Sequence, residues 1–139
     1  LLVSIDSTKY VIPLTSVHKC YEFEHAEIAS AVNNMIRADN IDIACIDLRK
    51  MFGIESEHPN TEHVIAVQYD DTIVGLTVDE IDGQYQAVLK PLGKLYKRQQ
   101  AFSGASILGD GTVALVIDTN KLIADYTTAG NIETGNQNN

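Results

Sequence analysis

The stretch "VIAVQYDDTIVGLTV", Val64 to Val78, sets two β-branched runs on either side of Asp70-Asp71. Two turn-forming residues between such runs leave room only for a tight reversal, so this stretch reads as a β-hairpin. The same kind of run recurs along the chain. "LLVSI", the polar "DSTK" and "YVIPL" read as two strands around a turn, with Pro13 confined to an edge or a strand end. "IDIACIDL", Ile41 to Leu48, places Ile41, Ile43 and Cys45 on one face and Asp42, Ala44 and Ile46 on the other, so only its first half alternates cleanly. "QAVLKPL" and "TVALVID" add two more strands. Short strands at such spacing favour an all-β barrel or sandwich over alternating βαβ units.

One segment resists that pattern. "AEIASAVNNMIRA", Ala26 to Ala38, puts Ile28, Val32, Met35 and Ile36 at helical spacing, although Asn33-Asn34 suits a turn equally well; a helix is expected in its first half. A second short helix is expected after Asp118-Thr119-Asn120, any of which can cap it. Residues 130–139 have no core-forming pattern and read as a disordered tail.

With 139 residues the chain has the size of one domain. Chains of this length bury roughly two-thirds of their unfolded surface, enough for one core or two small ones. No apolar run approaches the ~20 residues of a membrane helix and no signal segment opens the chain, so it reads as soluble and cytoplasmic, without membrane insertion. It begins "LLVSID" with no methionine, which suggests a piece of a longer polypeptide. Cys20 and Cys45 are too few for a disulfide scaffold and read as buried free thiols. Residues 1–86 carry 15 acidic and 5 basic side chains, whereas 87–109 hold Lys90, Lys94, Lys97 and Arg98 and no acid. A net charge of −9 makes nucleic acid a poor partner.

Catalytic motifs are thin. Gly104 and Gly109 have the spacing of a Walker-type loop, but Asp110-Gly111 stands where Lys and Ser/Thr would meet phosphate and magnesium. Gly109, Gly111 and Ala114 satisfy a dinucleotide fingerprint on paper. That fingerprint needs a following helix, whereas "TVALVID" is β-branched. Asp110-Gly111 instead reads as a hairpin turn with both positions at φ > 0. His18, Cys20 and His25 lie near one another, but no second cluster completes a metal site, and His58 and His63 stand beside Glu57 and Glu62 as surface histidines. Asp79, Asp82 and Asp118 read as solvated strand ends. No catalytic residue, cofactor site or metal site is expected.

"YVIPLTSV" (Tyr10–Val17), "IDIACIDLRKMFG" (Ile41–Gly53), "VGLTVDEIDGQYQAVLKPL" (Val74–Leu92) and "FSGASILGDGTVALVIDTNKLI" (Phe102–Ile123) together resemble the CheW-like domain family. The likeness is to the version at the C-terminus of chemotaxis histidine kinases of the CheA type. Gly83, Lys90, Pro91, Gly104, Gly109, Asp110 and Gly111 are the turn and motif positions that carry it. Family members often have Arg-Gly before the third or fourth strand and a proline within it; Asp39-Asn40 and Ala44 stand here instead. The resemblance implies an all-β fold of two intertwined five-stranded SH3-like barrels with one or two short helices. It implies a regulatory domain over residues 1–129, a switch between barrels near 54–64, a first strand that can cross over, and strand at Met35–Ala38.

It also implies recruitment without chemistry. The implied partners are a CheW-type coupling protein, the cytoplasmic tips of chemoreceptors and the kinase domain of the same chain, at membrane-associated arrays. A free CheW-type adaptor is the alternative. A nucleotide-binding enzyme using Gly109–Gly111 and an oligonucleotide-binding barrel are remote ones, the latter lacking a basic groove with stacking aromatics. Candidate interface residues are Val17, Tyr21, Ile28, Ile41 and Ile43, each of which alternation places equally well in a core.

Overall fold

A computed structural model describes residues 1–86, 88, 90 and 101–127. The expected tail at 130–139, Pro91, and the basic side chains of Lys94, Lys97 and Arg98 lie outside the described residues.

Tight turns set the first pairings. β1 (Leu2–Ile5) reverses at Asp6-Ser7 into β2 (Thr8–Val11), with Ile5 opposite Thr8 and Asp6 at φ 54°. The strand therefore starts two residues earlier than "YVIPL" suggested, and Pro13 falls past its end. A 3₁₀ turn (Leu14–Ser16) leads to β3 (Val17–Glu24), α1 (His25–Ala29), a 3₁₀ turn (Val32–Asn34), β4 (Met35–Ala38), β5 (Ile41–Asp47) and α2 (Leu48–Met51). β6 (Thr61–Tyr69) and β7 (Thr72–Val78) form the expected hairpin, Tyr69 opposite Thr72 and Asp70 at φ 53°. β8 (Glu80–Gly83), β9 (Phe102–Ile107) and β10 (Val113–Ile117) follow. A last helix, α3, spans 119–127. Asp118 caps it by accepting from the Lys121 amide at 3.1 Å.

These strands make two curled five-stranded sheets, β8-β1-β2-β10-β9 and β3-β6-β7-β5-β4. The chain starts in the first sheet, builds the whole second sheet, and returns for β8 to β10. The switch expected near 54–64 is not there, because β5 and β6 on either side of it belong to the same sheet. The crossings fall between β2 and β3 and at Asp79, whose amide donates to the Ser4 carbonyl at 2.9 Å.

Strand alternation then sorts side chains into three cores. Val3, Ile5, Tyr10, Ile12 and Ile117 of the first sheet meet Ile46, Ile65, Val67, Val74 and Leu76 of the second in one shared core, joined by Leu122 and Ile123 of α3. The opposite face of the second sheet packs Ile36, Ile43, Cys45, Val64 and Ala66. The opposite face of the first packs Val11, Ala114 and Val116. Burial on both faces explains why "IDIACIDL" stops alternating: Ile43 and Cys45 point into one core and Ile46 into another.

Two strands were not foreseen. β3 is half polar, with Tyr21 and Phe23 packed inward among exposed residues, and β8 is a short acidic segment whose Asp82 had been read as a solvated strand end. Of the expected strand "QAVLKPL", the described residues show a bridge, Lys90 with Ala105. Gln86 and Val88 lie outside any strand, and the remainder falls outside the described residues.

Arg49 of α2, 3% exposed, ties this arrangement together. Its guanidinium donates to the Ser56 carbonyl at 3.1 Å and to the Asp79 carboxylate, which also accepts from the Asp6 amide at 2.7 Å. Removing one partner of such a buried pair costs roughly 3–5 kcal/mol. Arg49→Ala is expected to lose that much in urea denaturation. Gly75, on β7, faces the second sheet's own core, where a Cβ would lie 2.6 Å from Val64 Cγ1 and 3.2 Å from Cys45 Sγ. Gly75→Ala is expected to cost about 1–3 kcal/mol by overpacking. Adding Val64→Ala should recover part of that loss, a coupling that a double-mutant cycle of unfolding energies measures.

Candidate functional site

Four of the five candidate interface residues retain some exposure, and one does not. Ile43 is fully buried, because its face of β5 lines the second sheet's interior beside Cys45 and Val64. It is a core residue. Val17 packs partly against the shared core; Tyr21 and Ile28 pack partly against the second sheet's own core. Ile41 lies on the same face as Ile43 but at the strand's start, and remains 37% exposed.

Tyr21 has a further task. The β4–β5 reversal uses Asp39 and Asn40 at φ 51° and 66°, the two left-handed positions of a type I′ turn. That turn aims the Asp39 carboxylate across to β3, where it accepts from Lys19 Nζ at 2.6 Å and from the Tyr21 hydroxyl at 2.9 Å. The Lys19 hydrogen bond, then that of Tyr21, holds the Asp39 carboxyl below its ordinary range. These contacts close the seam between β3 and the β4–β5 turn.

Two exposed apolar side chains that the sequence did not single out as interface lie in and just before β4, with Met35 on the sheet face opposite Ile41. Val32 is 77% and Met35 40% exposed. Helical spacing had placed both on one apolar stripe with Ile28, but α1 stops at Ala29, so no stripe forms and the two stay at the surface. A second patch lies on the first sheet, where Ile107 and Val113 face each other across β9 and β10 and are each about half exposed.

The glycine motif is structural. Gly111, at φ 87°, takes the left-handed position of a three-residue loop: its amide donates to the Leu108 carbonyl, and the Leu108 amide to that of Thr112. The expected two-residue turn is thus a turn followed by a glycine bulge, since only the glycine of Asp110-Gly111 has positive φ. Asp110 accepts from the Thr112 amide at 2.9 Å, which holds its carboxyl below the usual range. The Gly111 and Thr112 amides are engaged within the loop, and a strand follows where a nucleotide loop needs a helix. Gly104 pairs with Val116, Gly83 ends β8 opposite Leu2, and Lys90 bridges Ala105.

The histidines regroup. His25 opens α1, His58 lies in the loop before β6, and Glu62 lies on β6. His25 Nδ1 is 2.6 Å from Glu62 Oε2, the two imidazoles stack at 4.4 Å, and His58 Nε2 is 3.0 Å from Asp47 Oδ2. His18 and Cys20, exposed on β3, take no part, and His63 faces a separate cleft with Ser4 and Asp79. His25 and His58 lie far apart in sequence, so spacing carried no signal. Antiparallel pairing of β3 with β6, Phe23 opposite Glu62, brings them together, and the His25 amide donates to Asn60. Cys45 borders this cleft, and burial pushes its thiol up to about 11. Cys20, by contrast with the expectation, is exposed.

Residues 1–127 match the family model of the CheW-like domain. The chain is 33% identical over 127 residues to the chemotaxis protein CheA of Treponema pallidum (strain Nichols), covering 88% of this chain and 16% of that protein. It is 33% identical over 126 residues to the chemotaxis protein CheA of Bacillus subtilis (strain 168), covering 88% and 19%. The chain thus spans less than a fifth of the length of either of these curated relatives. The crystal structure of the scaffolding protein TtCheW from Thermoanaerobacter tengcongensis superposes with a TM-score of 0.65 at 20% identity, covering 84% of this chain and 86% of that one, and has the same fold. Two curled sheets built in this order, with the family's sequence pattern running through both, place the chain in the CheW-like domain family.

Proposed function

We propose that this chain is the regulatory and scaffolding domain of a chemotaxis sensor histidine kinase. It docks a CheW-type coupling protein and chemoreceptor tips, and passes receptor state to the kinase domain at membrane-associated arrays in the cytoplasm. The observation that carries this reading is the 33% identity to two CheA proteins over 88% of the chain. A free adaptor is the second reading, favoured by the likeness to the scaffolding protein TtCheW over 86% of that chain. Either way the domain recruits partners and performs no chemistry of its own. Nucleotide binding at Gly109–Gly111 finds no support, because the loop leads into the strand Val113–Ile117 and not into a helix. Among the described residues no helix is long and apolar enough to cross a membrane.

Docking by a like barrel needs apolar side chains at the surface, with about 800 Å² covered on each partner. Ile107 and Val113 supply such a patch on the first sheet, and on the second Ile41 is exposed at the start of β5. Central apolar side chains are the ones whose loss costs about 2 kcal/mol or more, roughly a 30-fold loss of affinity.

In titration calorimetry against a CheW-type coupling protein, Ile41→Asp is expected to weaken binding by about that factor while leaving the melting temperature nearly unchanged. Ile43→Asp should unfold the chain instead, since that side chain is buried. Absence of heat with the unaltered chain would overturn docking. Kinase and adaptor readings separate on the full-length protein: the first requires receptor-dependent autophosphorylation from ATP, the second none.

A further inference from the structure

We propose that His25, His58 and Glu62 form a binding site for a divalent transition-metal ion, zinc foremost. Two imidazoles and a carboxylate are a donor set that zinc takes from proteins, whereas magnesium and calcium prefer oxygen donors alone. The three side chains offer ligand atoms that all lie within 4.8 Å of one another. Donors about 2.0–2.2 Å from a tetrahedral zinc stand roughly 3.3–3.5 Å apart, so binding turns the two stacked rings out of parallel until one nitrogen of each points at the ion. The 2.6 Å contact between His25 and Glu62 opens slightly as the ion comes between them.

Glu62 is what distinguishes this cluster from a surface histidine pair. Its side chain is 3% exposed, and its one hydrogen-bond partner among the described residues is His25. A buried carboxylate requires positive charge nearby. The His58 ring lies face to face on that of His25 at 4.4 Å and 14°, so both imidazoles stand beside the buried carboxylate, and a divalent ion held by all three supplies the charge.

The surroundings are arranged accordingly. Asp47 holds His58 through Nε2 at 3.0 Å and leaves the ring's other nitrogen for the ion, the carboxylate–histidine–metal pattern that orients ligands in zinc sites. Asp47 is itself fixed, since it caps α2 through the Lys50 amide at 3.3 Å. His25 is anchored by its amide on Asn60 at 2.7 Å. The three ligands border a cleft of about 180 Å³, shared with Thr77 and Ile28, which has room for the ion and a water in the fourth position. Bound there, the ion clips the loop between α2 and β6 onto α1. Because both imidazoles must be neutral and the carboxylate ionised, affinity falls on acidification.

The test strips the purified chain with a chelator, then titrates Zn²⁺ in competition with a chromophoric chelator and follows the melting temperature. One zinc per chain is expected, with a melting temperature that rises with free zinc by mass action. Co²⁺ should give the intense visible bands of a tetrahedral site, whereas Mg²⁺ and Ca²⁺ should leave the melt unmoved. His58→Ala, a change at a partly exposed ring that spares the buried carboxylate, should abolish the zinc effect while the apo chain still melts cooperatively. Asp47→Asn, which retains a capping oxygen, should weaken zinc about 10–100-fold. His18→Ala and His63→Ala should change nothing. No zinc bound in the competition, or binding and stabilisation that persist in the His25→Ala/His58→Ala double variant, would overturn the site.

Discussion

The core shared by the two sheets is the constraint on which the rest of the structure depends. It takes Val3, Ile5 and Ile117 from the first sheet and Ile46, Ile65 and Leu76 from the second, so neither sheet buries its inner face alone. The chain makes the dependence stricter, because it leaves the first sheet after β2 and returns only at β8. β10 then pairs in parallel with β2, across more than a hundred residues. Such long-range pairing gives the two sheets one cooperative transition instead of two. Arg49 sits where this return is made. Its bond to Asp79 joins α2 to the β7–β8 crossing, and through Asp79 to the β1–β2 turn at Asp6.

That architecture explains what could be read from the residues and what could not. The local reversals were legible, since Asp70-Asp71 and Asp110-Gly111 need only the φ values of a few residues. Even there the pattern left one choice open: Asp-Gly suits a two-residue turn, but Leu108 and Thr112 pair around a third loop residue and the glycine alone goes left-handed. Pairing between distant strands carries no local signature, which is why the crossing at Asp79 and the strand role of β8 were missed. The spacing of Ile28, Val32, Met35 and Ile36 was a true signal overruled. The chain leaves the helix after Ala29 so that Ile36 can enter the second sheet's core on β4, a conflict between local propensity and tertiary burial that burial wins. The family resemblance, which carries tertiary information, placed the strand at Met35–Ala38.

The site was less legible than the fold for a related reason. A period of two assigns Ile41 and Ile43 to one face, and they share it. It says nothing about distance from the barrel's mouth, which leaves one at 37% exposure and the other at none. Tyr21 was a docking candidate that could equally sit in a core, and the structure shows its hydroxyl committed to Asp39, a partner with no sequence signature. His25 and Glu62 became neighbours only through the register of β3 on β6, a tertiary fact absent from their spacing.

These contacts bear on one segment. From the end of β3 to the start of β5 the chain contains one short helix, one 3₁₀ turn and one four-residue strand at the sheet's edge. Little regular pairing holds it, yet it carries Val32, Met35 and Ile41 at the surface. Its fixed points are side-chain bonds, Lys19 and Tyr21 to Asp39 at one end and His25 to Glu62 at the other. A docking surface that must order itself on binding loses affinity to that ordering, whereas one already held does not. An exposed, solvent-screened pair such as Lys19–Asp39 is a weak anchor by itself. The buried carboxylate of Glu62 is the stronger one, and a metal bound to it and to both imidazoles would fix α1 in place.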